Sequence, residues 1–259
     1  CWAAGLAAGG LKPVCAIYST FLQRAFDQLA HDVCIQKLPV RLMLDRGGLV
    51  GADGPTHHGA LDLSYLSLLP NMVVMAPRDI PEFRTMIEYA LGYDEHPIAV
   101  RYPRGGSPAC GLPAGYEPIR HGNGELLREG KDLALIAIGT MVGTAWEAAR
   151  TLERSGLSAS VFNARFAKPI DAEAILELAR ETRFVVVLEE NVARGGLGEA
   201  VKSLLLDNDL SGVRVRHLCL PDAFVEHGSQ GQLLADCGLT TQDVVRVASE
   251  VLFEHAAAR

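Results

Sequence analysis

Short unbroken runs of apolar residues alternate along this chain with longer stretches in which apolar positions recur every three or four residues. That is the pattern of buried strands separated by helices packed on one face. In the first half the runs Lys12 to Tyr18, Leu38 to Leu44, Met72 to Met75 and Pro97 to Tyr102 predict strands. The first two read as buried, the second as a parallel strand, because they lack the polar alternation of a half-exposed sheet. Between them, Leu22, Ala25, Phe26, Leu29 and Val33 hold helical spacing after the N-cap candidates Ser19 and Thr20, predicting a helix to about Cys34. Leu61 to Leu68 predicts a short helix. Asp79-Ile80-Pro81-Glu82 opens another in capping-box style, with Phe83, Met86, Ile87, Ala90 and Leu91 as its stripe.

From Gly105 to about Gly124, Gly and Pro recur without periodicity, as in Ser107-Pro108 and Leu112-Pro113-Ala114-Gly115, which predicts an interdomain connection. Beyond it, Asp132 to Ile138, Ser158 to Asn163, Phe184 to Leu188 and Val213 to Leu218 predict strands. Helices are expected from a Thr140 cap (Val142, Ala145, Trp146, Ala149 and Leu152 inward), over Asp171 to Arg180 and Leu197 to Leu206, and from Thr240 (Val244, Val247, Ala248 and Val251 inward). The expected fold is α/β, two successive parallel-sheet domains with right-handed crossovers: residues 1–106, a linker over 107–123, and residues 124–259. Cys1 to Gly10 reads as the second half of a small-residue helix ended by Gly9-Gly10, so the chain is expected to belong to a longer protein.

Composition narrows the function. A chain of 259 residues, 49% hydrophobic, can build two cores. A net charge of −7 without a basic run argues against a nucleic-acid surface. The six cysteines show no C-x-x-C spacing and sit among apolar segments, as buried, reduced thiols do. No apolar stretch reaches the ~18 residues a membrane span needs. A cytoplasmic protein with a small-molecule ligand is expected.

The chemistry concentrates in Arg46 to Gly59, a glycine-rich loop fed by the Leu38–Leu44 strand. Its glycines permit sharp turns and close approach to a ligand. Arg46, Asp53, His57 and His58 supply a cation, a carboxylate and two imidazoles where open α/β sheets bind ligands, beyond the carboxyl ends of the strands. Arg104 leaves the Pro97–Tyr102 strand at the same kind of edge. Two guanidiniums there suit a doubly charged phosphate, the alternative for Arg104 being a solvated surface side chain. Tyr18 and Phe21 lie near the first strand-to-helix turn, with Arg24 one turn on, and spacing alone makes Phe21 a core aromatic. A metal site on Asp53, His57 and His58 is discounted for want of a third strong ligand. Arg194-Gly195-Gly196-Leu197-Gly198 resembles a nucleotide-binding turn but has Val201 where the third glycine belongs, so it reads as a tight turn. The Glu189-Glu190 pair before it reads as a solvated strand end.

Longer strings are more specific. Tyr18 to Gln28, His31 to Val33, Gln36 to Val40, Asp45 to Gly59 and Arg101 to Gly105 together resemble the 1-deoxy-D-xylulose-5-phosphate synthase family of transketolase-like enzymes. Lys168 to Asp171, Glu189 to Asn191 and Leu220 to Gly228 fit that family's carboxyl-terminal domain. The resemblance implies a pyrimidine-binding domain, truncated at its start, followed by a transketolase C-terminal domain. It further implies a homodimeric transferase that uses thiamine diphosphate and Mg²⁺ to join pyruvate, with decarboxylation, to D-glyceraldehyde 3-phosphate in isoprenoid and thiamine biosynthesis. Carried over residue by residue, Phe21 stacks on the cofactor's aminopyrimidine with Arg24 beside it; Tyr18, Arg46, Asp53, His57 and Arg104 line the acceptor pocket; His57 and Asp53 carry proton transfer. The family's activating glutamate, its diphosphate site and its metal site are expected outside this chain, which by itself is expected to be inactive, and Phe26 stands where a tyrosine is usual. Two other readings stay open: the β subunit of a 2-oxo-acid dehydrogenase, with a lipoyl acceptor, and a non-catalytic dimerisation piece.

Overall fold

A computed structural model of the protein describes residues 1–106, 111–115 and 117–257. The expected turn residues Ser107 and Pro108, together with Cys110 and the side chain of Val251, lie outside the described residues. Helix α1 (Trp2–Ala8) leads to strand β1 (Val14–Tyr18) and a broken helical segment: α2 (Ser19–Leu22), a 3-10 turn, α3 (Phe26–Gln28) and a π turn over Leu29–Cys34. Then follow β2 (Arg41–Asp45), α4 (Asp62–Ser67), β3 (Val73–Met75), α5 (Ile80–Gly92) and β4 (Ile98–Arg101). The second half runs β5 (Glu125–Arg128), β6 (Leu133–Ala137), α6 (Met141–Arg154), β7 (Ala159–Asn163), β8 (Phe166–Lys168), α7 (Ala172–Thr182), β9 (Phe184–Val192), α8 (Leu197–Asp207), β10 (Arg214–Leu220), α9 (Gln230–Asp236) and α10 (Thr241–Ala257).

Two five-stranded sheets result, ordered β1-β2-β4-β3-β8 and β10-β9-β6-β7-β5. Both are the parallel α/β sheets that the pattern predicts, and each adds one antiparallel edge strand that it does not, β8 against β3 and β5 against β7. Those strands are too short and too polar to stand out as apolar runs. Strand β8 comes from the second half of the chain yet completes the first sheet, so the two halves share main-chain hydrogen bonds.

Alternate residues of the central strands feed different cores, which is why these strands read as continuous apolar runs. Leu42 and Leu44 of β2 join Ala134 and Ile136 of β6 in one cluster between the sheets, whereas Leu133 and Leu135 face α6 and α10 and Met43 faces α5. A buried ionic cluster also crosses the interface. Arg165 donates to Glu82 at 2.8 Å and to Glu125 at 2.9 Å, and Arg78 reaches Glu125 at 3.0 Å.

Several local expectations change in three dimensions. Strand β1 is not buried: it is an edge strand whose Val14 is 49% exposed, because among the described residues no strand pairs on its outer side. Ser19 and Thr20 do not precede their helix, whose N-cap is Tyr18. Thr140 holds the N-cap position of α6 but its hydroxyl donates to Glu190 instead of capping. At α5 the cap is half a box. Asp79 accepts from Glu82 N at 2.9 Å, but the Glu82 carboxylate bonds Arg78 N rather than returning to Asp79. Of the described cysteines only Cys34 is buried, and burial pushes its thiol up to about 11; Cys1 is exposed and the others are half-buried.

Candidate active site

The loop after β2 is closed by its own backbone. Gly48 N donates to Gly59 O at 2.9 Å and Gly59 N to Gly48 O at 2.8 Å, so residues 48–59 form a pinched Ω-like turn. A side chain at Gly59 would run into the Arg46 carbonyl, and Gly48 has φ +75°, so glycine is required at both. The pinch faces Arg46 and Asp53 toward the exit of β4.

There the guanidiniums of Arg46 and Arg104 meet on one carboxylate. Arg104 Nη1 lies 3.0 Å and Arg46 Nε 3.6 Å from Asp53 Oδ2, while Arg46 Nη1 bonds Asp45 at 2.6 Å. Arg46 Cζ also lies 3.8 Å from the centroid of the Tyr18 ring, a cation–π contact. Tyr18 stacks on Phe21 with centroids 5.0 Å apart, and the His57 ring stands edge-on to Phe21 at 5.4 Å. Arg24 sits 5.8 Å from the Phe21 ring. Tyr18, Phe21, Arg24, Arg46, Asp53, His57 and Arg104 are thus brought into one cluster, contributed by the ends of β1, β2 and β4. Phe21 is not in the core: the residue is 40% exposed on a cleft of ≈ 530 Å³ also lined by His57 and by Asp222 to Val225.

His58 is the exception. It turns inward, accepting Val50 N on Nδ1 at 3.0 Å and placing Nε2 3.3 Å from Glu226 O, which fixes its proton on Nε2 and spends both nitrogens on structure. The adjacent histidines thus face different ways, His58 inward and His57 toward Phe21.

The Glu189-Glu190 pair is not a solvated strand end; the two are 0% and 2% exposed. Strand β9 runs past Leu188 to Val192, and alternation sends the two carboxylates to opposite sides. Glu189 accepts Leu197 N and Gly198 N, both at 2.9 Å, at the start of α8, and pairs with His217 Nε2 at 2.7 Å. Burial pushes the His217 imidazole down, but hydrogen bonds to Cys219 and Glu189 and the carboxylate charge outweigh it and raise it to about 9. Glu190 accepts Leu49 N at 2.9 Å in the glycine-rich loop. Arg101 ties these parts together, bonding Asp62 at 3.2 Å and the Glu190 carbonyl. None of this partnership was legible beforehand, although two acidic residues continuing an apolar run were a signal.

Relatives carry the same architecture. Residues 2–108 match the transketolase pyrimidine binding domain and residues 122–244 the transketolase C-terminal domain. The chain is 54% identical over 97% of its length to 1-deoxy-D-xylulose-5-phosphate synthase 1 of Geobacter sulfurreducens, and 54% identical over 95% to the 1-deoxy-D-xylulose-5-phosphate synthase of Desulforudis audaxviator. It spans 39% of the length of each. A solved structure described as a split gene transketolase, inactive beta4 tetramer, superposes with a TM-score of 0.86 at 33% identity, covering 97% of this chain and 79% of that one. The chain belongs to the transketolase family and comprises its pyrimidine-binding and C-terminal domains.

Proposed function

We propose, from that membership, that the protein carrying this chain is a 1-deoxy-D-xylulose-5-phosphate synthase, joining pyruvate, with loss of CO₂, to D-glyceraldehyde 3-phosphate. The supporting observation is the convergence of Arg46, Arg104 and Asp53 beside Tyr18 at the mouth of the Phe21 cleft. Two guanidiniums offer ten N–H donors in all, far more than Asp45 and Asp53 occupy, so a phosphate can be gripped bidentately by sharing them. Asp53, relieved of part of its ionic pairing by the incoming dianion, accepts hydrogen bonds from the acceptor's hydroxyls. His57, half-buried with Thr56 Oγ1 at 2.9 Å from Nδ1, holds or moves a proton at Nε2.

The cleft fits thiamine diphosphate at its pyrimidine end. Phe21 presents an open ring face, and the Thr20 hydroxyl lining the cleft is buried without a partner among the described residues. Phe21 and Arg24 would hold the ring, and the cofactor when bound supplies the electron sink for decarboxylation. For Mg²⁺ the described residues offer no convergence of three His, Cys, Asp or Glu side chains, and no step is derived through a metal. A homodimer belongs to the same proposal, supported by the apolar side chains left open around α1 and β1: Trp2 is 84% and Leu11 59% exposed. So does a cytoplasmic location, supported by five free cysteines among the described residues.

Replacing Arg104 with Ala in the full-length enzyme tests the reading. The Michaelis constant for glyceraldehyde 3-phosphate should rise about 10- to 100-fold, the equivalent of one charged hydrogen bond, with that for pyruvate held within about twofold. An unmoved acceptor constant would turn the assignment toward a dehydrogenase β subunit, whose lipoyl acceptor has no use for the two arginines.

A further inference from the structure

Leu49 sits three residues after Arg46 and four before Asp53, and every group it owns is held by the other half of the chain. Its side chain, 0% exposed, belongs to the core of the second sheet with Leu133, Leu188 and Leu233. Its N–H donates to Glu190 Oε2 at 2.9 Å, and its carbonyl accepts from Gln230 Nε2 at 2.9 Å. The second Glu190 oxygen takes the Thr140 hydroxyl. Gly48 leaves open the space into which Glu190 reaches: a Cβ there would collide with the carboxylate.

The same tetrapeptide, Arg-Gly-Gly-Leu, occurs at 194–197, where Leu197 N donates to Glu189 at the same 2.9 Å. There the bond starts helix α8. At Leu49 no helix follows directly, so what the bond holds on that side is the position of the loop. A loop of irregular backbone owes its rigidity to such anchors, and a phosphate grip loses its worth when displaced by a fraction of an ångström.

We infer that Glu190 and Gln230 are positioning residues for the acceptor site: the second sheet clamps Leu49 and thereby sets where Arg46 and Asp53 meet Arg104. The inference rests on the acceptor role proposed above for these arginines, and it assigns the C-terminal domain a direct part in acceptor specificity.

The test uses the full-length enzyme with Glu190→Ala, Glu190→Gln and Gln230→Leu, reading Michaelis constants for both substrates and amide hydrogen exchange over residues 47–59. Glu190→Ala should raise the acceptor constant about tenfold, keep the pyruvate constant within about twofold, and speed exchange in the loop but not in α8. Glu190→Gln, which keeps an oxygen for Leu49 N–H, should recover most of the loss. Gln230→Leu keeps its bulk on a half-exposed helix start and should shift the acceptor constant about threefold, deciding the matter should Glu190→Ala fail to fold. Combined with Arg46→Ala, Gln230→Leu should cost less than its separate effect, since a misplaced loop then has less to misplace. Equal rises for both substrates, or faster exchange throughout the protein, would reduce the clamp to general stability and overturn the inference. So would unchanged acceptor constants with an unchanged loop. If Arg104→Ala leaves the acceptor constant unmoved, the acceptor role fails, and loop exchange alone then decides whether Leu49 is clamped.

Discussion

The chain contains Arg-Gly-Gly-Leu twice, at 46–49 and 194–197, and uses it for opposite ends. Both copies follow a buried strand, both leucines are fully buried, and both leucine amides bond a glutamate of β9 at 2.9 Å. In the second copy the glutamate takes two amides of α8 and the His217 imidazole, so its polar groups are consumed where they stand. In the first copy no helix follows, and Arg46 swings onto Tyr18 and Asp53 at the cleft. What separates a structural turn from a candidate site is thus where the polar groups beyond the tetrapeptide go, and not the tetrapeptide itself.

The contrast can be broken by substitution. The largest effect is expected from Glu189→Ala, which leaves two helix amides and the His217 imidazole without their acceptor and should cost on the order of 3 to 5 kcal/mol in urea unfolding. Loss below about 1 kcal/mol would show that α8 does not depend on this carboxylate. Arg46→Ala comes next: about 1.5 to 3 kcal/mol of acceptor binding, read from the Michaelis constant, with unfolding changed by less than about 1 kcal/mol. A protein that unfolds more readily without a change in acceptor binding would make the first copy structural as well.

The third effect is a pH dependence confined to the second copy. His217 is raised from 6.5 to about 9 in the folded protein, so its stabilising contribution is complete below pH 6.5 and is lost as pH climbs through 9. Because β10 is a partly solvated edge strand, about 1 to 2 kcal/mol should separate the two ends of that window. Thermal unfolding of His217→Gln should lack this slope, and a parallel slope in both proteins would assign it elsewhere. Smallest of all, Arg194→Ala should move neither stability nor acceptor binding by more than about 0.5 kcal/mol, since this arginine, unlike its half-buried twin, is exposed.

Much of the fold was readable because its central strands are buried on both faces. Continuous runs such as Val73-Val74-Met75 and Leu133 to Ala137 admit few alternatives, and the intervening stripes place the helices. The edge elements were not readable. Strand β1 looks apolar but is half-exposed, whereas β5 and β8 look polar or trivial yet pair, because pairing at an edge depends on which neighbour arrives and not on the strand's own residues. In the candidate site the loop residues Arg46, Asp53 and His57 were legible from their type and place after a strand. Glu190 and Gln230, distant by more than a hundred residues from Leu49, were not.

By itself the order of residues determined the alternation of strand and helix, the glycine-rich loop and the stock of charged side chains, since periodicity, turn geometry and side-chain chemistry are local properties. Only tertiary structure decided that β8 would cross into the first sheet, that Glu189 and Glu190 would be buried, and that two arginines would share Asp53. A buried charge is tolerated only where partners from elsewhere in the chain converge on it, and convergence is a fact about space.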